Sequence, residues 1–198
     1  MCMLVVLRKY DTAIAFVCGA LIVAFIAAAF TVPSFWDWLW QRHQNQLSWY
    51  IRPLFLIPLC WFAYKRSGAG IMATVLLLLT SMGWFPPPRQ VSPRVQQFLQ
   101  FEQQYLQGDW RPGKVLLTVM VPLSLAALAA ALWRRNLWLG LAVMALIAIA
   151  KPLWSVAFAG EAGASVIVPA ALGLLLCGGG LWCVAKLVRA RADTRSSR

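Results

Sequence analysis

The chain has 198 residues, of which 61% are hydrophobic and only 12% are charged, and its mean hydropathy is +0.70. A soluble domain carries roughly 25% charged residues, so this composition excludes an ordinary soluble protein and indicates a polytopic membrane protein. The formal net charge of +12 comes from Lys and Arg near the ends of apolar runs. That distribution is a topology signal rather than a sign of nucleic-acid binding, so we expect membrane lipids and no nucleic acid as partners.

Six apolar runs predict an all-α fold with a single transmembrane domain over residues 1–188. The first run is longer than the apolar core of a signal peptide, so we expect a retained anchor, with cleavage near Ala27-Ala28-Ala29 as the alternative. The second and third runs are short, and Pro53 and Pro58 interrupt the second, which favours tilted or kinked helices. The predicted spans are 12–32, 50–64, 71–85, 115–133, 137–158 and 165–187.

An aromatic segment, residues 34–49, separates the first two spans. It holds four tryptophans, a density that is typical of loops at a membrane–water interface. Arg42 and the only histidine, His43, lie in its polar end, where the sequence Gln-Arg-His-Gln-Asn-Gln favours a solvent-exposed position. A single histidine without a second ligand nearby does not specify a metal site, so we expect no metal and no cofactor.

The long polar interval after the third span predicts an amphipathic interfacial helix over residues 92–107, between spans three and four. At about 100° per residue, six glutamines fall on one side of this helix and five apolar residues on the other. Glu102 falls in the middle of the apolar side. The apolar side is formed by Val95, Phe98, Leu99, Tyr105 and Leu106. This helix is also a possible docking surface for a partner in a membrane complex, with parking on the lipid surface as the alternative.

The fifth span contains Lys151, followed by a proline, about two-thirds of the way along. A short loop at 159–164 holds Glu161, and the last span leads into a basic tail at 189–198 that we expect to be disordered and cytoplasmic. With the N-terminus inside, the inner side holds eleven Lys and Arg residues and the outer side seven. The positive-inside rule therefore predicts a bacterial-type inner membrane protein with both termini in the cytoplasm and the amphipathic helix outside.

This topology gathers the unusual charges on the outer side of the membrane. Charged residues within a span are costly and are usually paired or face a cavity, and a glutamate on an apolar helix face needs a cation. We therefore predict one outer-face ligand site from Glu102, Lys151, Arg52, His43 and Arg42. The alternative is a purely structural network, in which the cations reach the headgroups and Glu102 forms a salt bridge.

No nucleotide-binding, hydrolase or metalloprotease motif is present in the sequence. We therefore expect a non-enzymatic protein, a small transport component or accessory subunit whose outer site binds an anionic ligand or lipid headgroup. Two alternatives remain open at this point. One is an assembly or scaffolding subunit of a membrane complex, and the other is an intramembrane lipid-modifying enzyme with Glu102 or His43 as general base.

Overall fold

The computed structural model describes the backbone of residues 9–196 and the side chains of residues 9–187, and every regular element in this part of the chain is helical. Three helical stretches are long and apolar enough to cross a membrane, namely Asp11–Thr31, Pro112–Trp133 and Leu137–Leu187. The fold is therefore that of an all-helical protein with apolar helices of membrane-spanning length. The side chains of the basic tail at 189–198 lie outside the described residues, and its backbone is helical through Ser196, where the sequence analysis expects disorder.

The helices follow one another with short connections. In chain order they are α1 (Asp11–Thr31), α2 (Pro33–His43), α3 (Leu47–Ile51), α4 (Leu56–Tyr64), α5 (Gly68–Thr80), α6 (Pro93–Gln107), α7 (Pro112–Trp133), α8 (Leu137–Gly163), α9 (Ile167–Gly173) and α10 (Gly179–Ser196). Three 3₁₀ segments (Arg52–Phe55, Ser81–Gly83 and Ala164–Val166) and one π segment (Leu174–Gly178) connect some of them.

Two apolar clusters form the interior. The larger one lies where α4, α7, α8 and the π segment meet, and it includes Leu59, Leu128, Leu132 and Met144, each at most 2% exposed. The smaller one lies beneath α6 and contains Trp40, Trp49, Val95, Phe98 and Leu99. The second cluster holds α6 against the rest of the protein, and it forms one wall of the site described below.

The aromatic segment between the first two apolar helices is itself helical, where the sequence analysis expects a loop. Pro33 occupies the first turn of α2, where its missing N–H costs no hydrogen bond. Leu39, Trp40 and His43 form the buried side of the helix. Because residues three and four apart share a helix face, this helix turns the histidine inward instead of toward solvent.

The second predicted span is broken into α3, a 3₁₀ segment and α4. The break begins at Arg52, directly before Pro53, which lacks the N–H that an α-helix needs. The π segment packs against this break, and the Cys177 thiol donates a hydrogen bond to the Pro53 carbonyl at 3.2 Å. A Cβ on Gly173 would overlap the Pro53 side chain, so glycine permits this close approach.

The amphipathic helix α6 matches its predicted bounds within one residue. Ser92 is its N-cap, and its hydroxyl accepts a hydrogen bond from the Val95 N–H at 3.4 Å. Val95, Phe98 and Leu99 are buried, as the helical wheel predicts. Glu102 lies on the same face of the helix, with only 18% of its side chain exposed.

Helix α8 extends five residues beyond the predicted fifth span and passes through the expected loop at 159–164. Gly160 has a φ of +57° there, a left-handed conformation that interrupts the helical backbone and turns the chain back. Gly163 then lies against the backbone of Ser155. The chain thus folds back along the last part of α8 before it enters α9.

Two tight basic turns join helices in pairs, one between α4 and α5 and the other between α7 and α8. The first lies at the end of α4 that is farther from Arg52. In each turn an arginine, Arg66 or Arg135, adopts a left-handed φ of 58°, which costs an L-residue roughly 1 kcal/mol. The turns contact each other, since the Arg66 Nε donates to the Trp133 carbonyl at 3.1 Å. The Arg135 guanidinium lies 5.5 Å from the centre of the Tyr64 ring.

Candidate functional site

Four of the five predicted site residues meet in one place. We call His43, Arg52, Glu102 and Lys151 the charged cluster. Lys151 Nζ donates to Glu102 Oε1 at 3.1 Å, Glu102 Oε2 lies 3.9 Å from His43 Nε2, and Arg52 donates to His43 Nδ1 at 3.3 Å. These contacts form a chain from Arg52 through His43 and Glu102 to Lys151, built from α2, the 3₁₀ break, α6 and α8.

The fifth residue, Arg42, is not part of the cluster. Its guanidinium lies 4.4 Å from the centre of the Trp38 ring in a cation–π contact. Arg42 precedes His43 in α2, and consecutive helical residues point about 100° apart. The burial of His43 therefore directs Arg42 away from the cluster.

His43 is almost completely buried, with 3% of its surface exposed, so the expectation of a solvent-exposed histidine is wrong. Its ring lies between Trp40 and Trp49, with centroid distances of 5.4 Å and 5.8 Å. The Trp49 indole N–H also donates to the His43 carbonyl at 3.0 Å. These contacts fix the imidazole in the interior, where only its two nitrogens face polar partners.

The contact with Arg52 determines which nitrogen of His43 carries the proton. A guanidinium group has only donors, so Nδ1 must accept from it. Ser48 Oγ lies 3.5 Å from the same nitrogen, but its hydroxyl already donates to the Asn45 carbonyl at 2.9 Å. The neutral ring therefore carries its hydrogen on Nε2, and that N–H faces the Glu102 carboxylate.

Burial and the positive charge of Arg52 outweigh the attraction of Glu102 and lower the pKa of His43 from 6.5 to about 4. His43 is thus neutral at physiological pH. Burial alone would raise the pKa of Glu102, but the contact with His43 and the charge of Lys151 outweigh it and lower this pKa to about 2. The carboxyl group is therefore ionised over the same range.

The charges of the cluster do not cancel. Arg52 and Lys151 are cations, Glu102 is the single carboxylate and His43 is neutral, so the cluster carries a net charge of +1. Within the described residues, Arg52 has no carboxylate within salt-bridge distance, and its side-chain hydrogen-bond partner is a neutral imidazole. A half-buried cation without an anion is costly, so this arrangement favours an additional negative group.

The cluster is open at Lys151, whose side chain is 48% exposed. The Lys151 ammonium lies 5.0 Å from the centre of the Trp154 ring and 5.9 Å from that of Phe98. The indole N–H of Trp154 is buried and has no hydrogen-bond partner in the described part of the chain. The exposed ammonium is therefore the part of the cluster that an external anion can reach.

Sequence reasoning missed Ser48, Trp49 and the aromatic contacts of His43. The spacing of Trp36, Leu39, Trp40 and His43 contains the signal, because these positions lie on one face of a helix. In the structure Leu39, Trp40 and His43 are all buried. Reading this stripe as helical would have predicted a buried histidine.

The site combines two cations, a neutral imidazole donor and one internal carboxylate, which suits it for binding an anion. No group of three or more metal-ligating side chains occurs among the described residues. Comparison with protein-family models, with curated proteins and with solved structures finds no match to this chain. A functional interpretation therefore follows from the geometry of the charged cluster.

Proposed function

We propose that this chain is a multi-pass inner-membrane protein whose charged cluster binds an anionic ligand or lipid headgroup on the outer face. In this proposal six spans cross the membrane, α6 lies on the outer surface, and both termini are cytoplasmic. The protein serves as a small transport component or as an accessory subunit. The apolar helices support the membrane location, and the separation of the basic turns from the charged cluster along the helices supports the orientation.

The unpaired charge of Arg52 carries this proposal. The cluster holds a net charge of +1 in a region shielded by tryptophans, where an ion interacts more strongly than in water. An anion that contacts Arg52 or Lys151 would neutralise this charge. A guanidinium also offers paired donors that match the oxygens of a carboxylate or phosphate.

Anion binding can be tested by thermal melting of the protein in a neutral detergent. Acetate or inorganic phosphate is added at constant ionic strength against sodium chloride. We expect at least one of these anions to raise the melting temperature of the wild-type protein, and we expect Arg52→Met and Lys151→Met to abolish the shift. Arg42→Met is the matched control and should keep it. If neither anion stabilises the wild type beyond chloride, the proposed function is wrong.

The orientation requires a separate experiment. Reporter fusions after residue 90 and at the C-terminus should report opposite sides of the membrane, with the C-terminal reporter active only in the cytoplasm. Both reporters on the same side would exclude the six-span topology as proposed.

An assembly role is the second candidate, and the outer face of α6 favours it. Gln96, Gln97 and Gln100 are exposed there and have no side-chain hydrogen bonds within the described residues. Co-purification of a stoichiometric partner in mild detergent, lost when these glutamines are replaced by lysine, would support this role. A monodisperse protein without a partner would count against it.

The geometry does not favour an enzyme that uses these residues as bases. The Nδ1 atom of His43 is occupied by Arg52, and its Nε2 carries a proton, so the ring offers no free lone pair. The pKa of Glu102, about 2, lies far below the range in which a general base is most effective near neutral pH.

A further inference from the structure

The Glu102 carboxylate occupies a position that an external carboxylate could fill. One of its oxygens accepts from Lys151, and the other lies 3.9 Å from the Nε2 of His43. A ligand carboxylate has the same planar shape and the same two oxygens. The internal group therefore shows which chemistry the site accommodates.

Helix α6 is attached in a way that permits this exchange. Extended segments flank it, 84–92 with three consecutive prolines and 108–111, so neither end continues into a neighbouring helix. Among the described residues, Glu102 is the one residue of α6 that forms salt bridges. Its other contacts include the packing of Val95, Phe98 and Leu99 and a hydrogen bond from the Tyr105 hydroxyl to the Lys114 carbonyl at 3.3 Å. The rings of Phe101 and Tyr105 also pack on Trp154 of α8.

An apolar surface continues from the open side of the cluster. Trp154 packs against Phe101 and Phe158, with centroid distances of 5.9 Å and 5.6 Å. Phe158 and Leu153 are 57% and 65% exposed. A carboxylate that binds at Lys151 can therefore extend an apolar chain along this surface.

From these observations we infer that Glu102 is a tethered substitute for the ligand, and that the ligand is a carboxylate, either a small one or the head of a fatty acid. This inference rests on the proposed function and narrows its ligand class. The incoming carboxylate takes the two donors that Glu102 now faces, Lys151 Nζ and the Nε2–H of His43. Arg52 holds the imidazole in the tautomer that donates, and its positive charge adds to the attraction for the carboxylate.

The test is chemical rescue of Glu102→Ala, which vacates the site. Acetate and laurate are compared with inorganic phosphate and dodecyl phosphate by thermal melting and by titration calorimetry. We expect both carboxylates to restore the melting temperature toward that of wild type and to bind Glu102→Ala about tenfold more tightly than wild type, because no internal carboxylate competes. Laurate binding more tightly than acetate assigns the fatty acid as the ligand, and equal binding assigns a small carboxylate.

Two variants make the rescue specific. Glu102→Gln keeps the volume of the side chain and should not be rescued, while Glu102→Ala with Lys151→Met lacks the cation and should not respond either. Glu161→Ala removes an exposed carboxylate that forms no salt bridge in the described structure. It should resemble the wild type in every measurement.

The two proposals fail in different ways. If the phosphates rescue Glu102→Ala as well as the carboxylates do, the ligand class is wrong while anion binding stands. If no anion stabilises either Glu102→Ala or the wild type, both proposals are wrong. Should Glu102→Ala not fold, amide hydrogen exchange of the wild type decides. Laurate should increase exchange over residues 93–107 by displacing Glu102, and unchanged exchange at saturating laurate would overturn the inference.

Discussion

Acidification from about pH 7 to about pH 5 is expected to destabilise the folded protein through its only histidine. In the unfolded chain His43 titrates near 6.5, whereas in the folded protein its pKa is about 4. Between these values the unfolded chain binds a proton that the folded protein does not, so stability falls as the pH falls. The stability that the neutral, buried His43 contributes is fully present above pH 6.5 and is lost as the pH approaches 4.

The size of this effect follows from the two pKa values. Each unit of separation corresponds to about 1.4 kcal/mol, so acidification from 6.5 to about pH 5 costs roughly 2 kcal/mol. For a chain of this length, that corresponds to a decrease of roughly 4–8 °C in melting temperature. Protonation of Glu102 also lowers the stability of the folded protein as the pH falls. It does so only below the ordinary glutamate pKa of 4.5, and therefore outside this pH range.

The assay is thermal melting in neutral detergent at several pH values, compared with His43→Gln. Glutamine can still accept from Arg52 and donate toward Glu102, but it does not titrate. The variant should therefore melt at nearly the same temperature throughout this range. An equal loss of stability in wild type and variant, or a wild type that is unaffected by pH, would refute the assignment of a neutral buried histidine.

Three further substitutions, two of them paired with a control substitution, test the site and its supports by thermal melting. Lys151→Met leaves the carboxylate of Glu102 without its cation. Because the pair is partly exposed, we expect the free energy of unfolding to fall by about 1–2 kcal/mol. The control Arg42→Met should change it by less than about 0.5 kcal/mol. Gly173→Ala forces a methyl group into the proline of the 3₁₀ break and should cost about 1–3 kcal/mol, while Gly179→Ala, which meets nothing within 4 Å, should be neutral or stabilising. Asp11→Ala removes the acceptor for two backbone N–H groups in the first turn of α5 and should cost about 1–2 kcal/mol; an unchanged melting temperature would show that this contact is not stabilising.

The parts of the structure that follow from local pattern were predictable. The helical wheel placed Glu102 on the buried side of α6, and the cost of an intramembrane charge pointed to Lys151 as a cation that needs a partner. The structure brings the two within 3.1 Å. The helical periodicity of α6 and the cost of a charge within an apolar span were sufficient to single out both members of this pair.

The parts that depend on tertiary packing were not predictable in the same way. The polar neighbours of His43 suggested solvent, because glutamines surround it in sequence, but helix α2 separates it from them in space. The hydrogen bond from Arg52 to His43 was not predicted either, because it requires the helix that turns the histidine inward. The left-handed Gly160 and the π segment at Leu174–Gly178 leave no periodic trace in an apolar run.

The two basic turns join two helical pairs at one end of the molecule. They fasten α4 and α5 to α7 and α8 at one end, through the hydrogen bond from Arg66 to the Trp133 carbonyl and the contact of Arg135 with Tyr64. At about 1.5 Å per residue, Arg52 lies roughly 20 Å from this fastening. We expect the basic turns to act as a hinge. A small rotation of the helices at this end would then produce its largest displacement at the charged cluster.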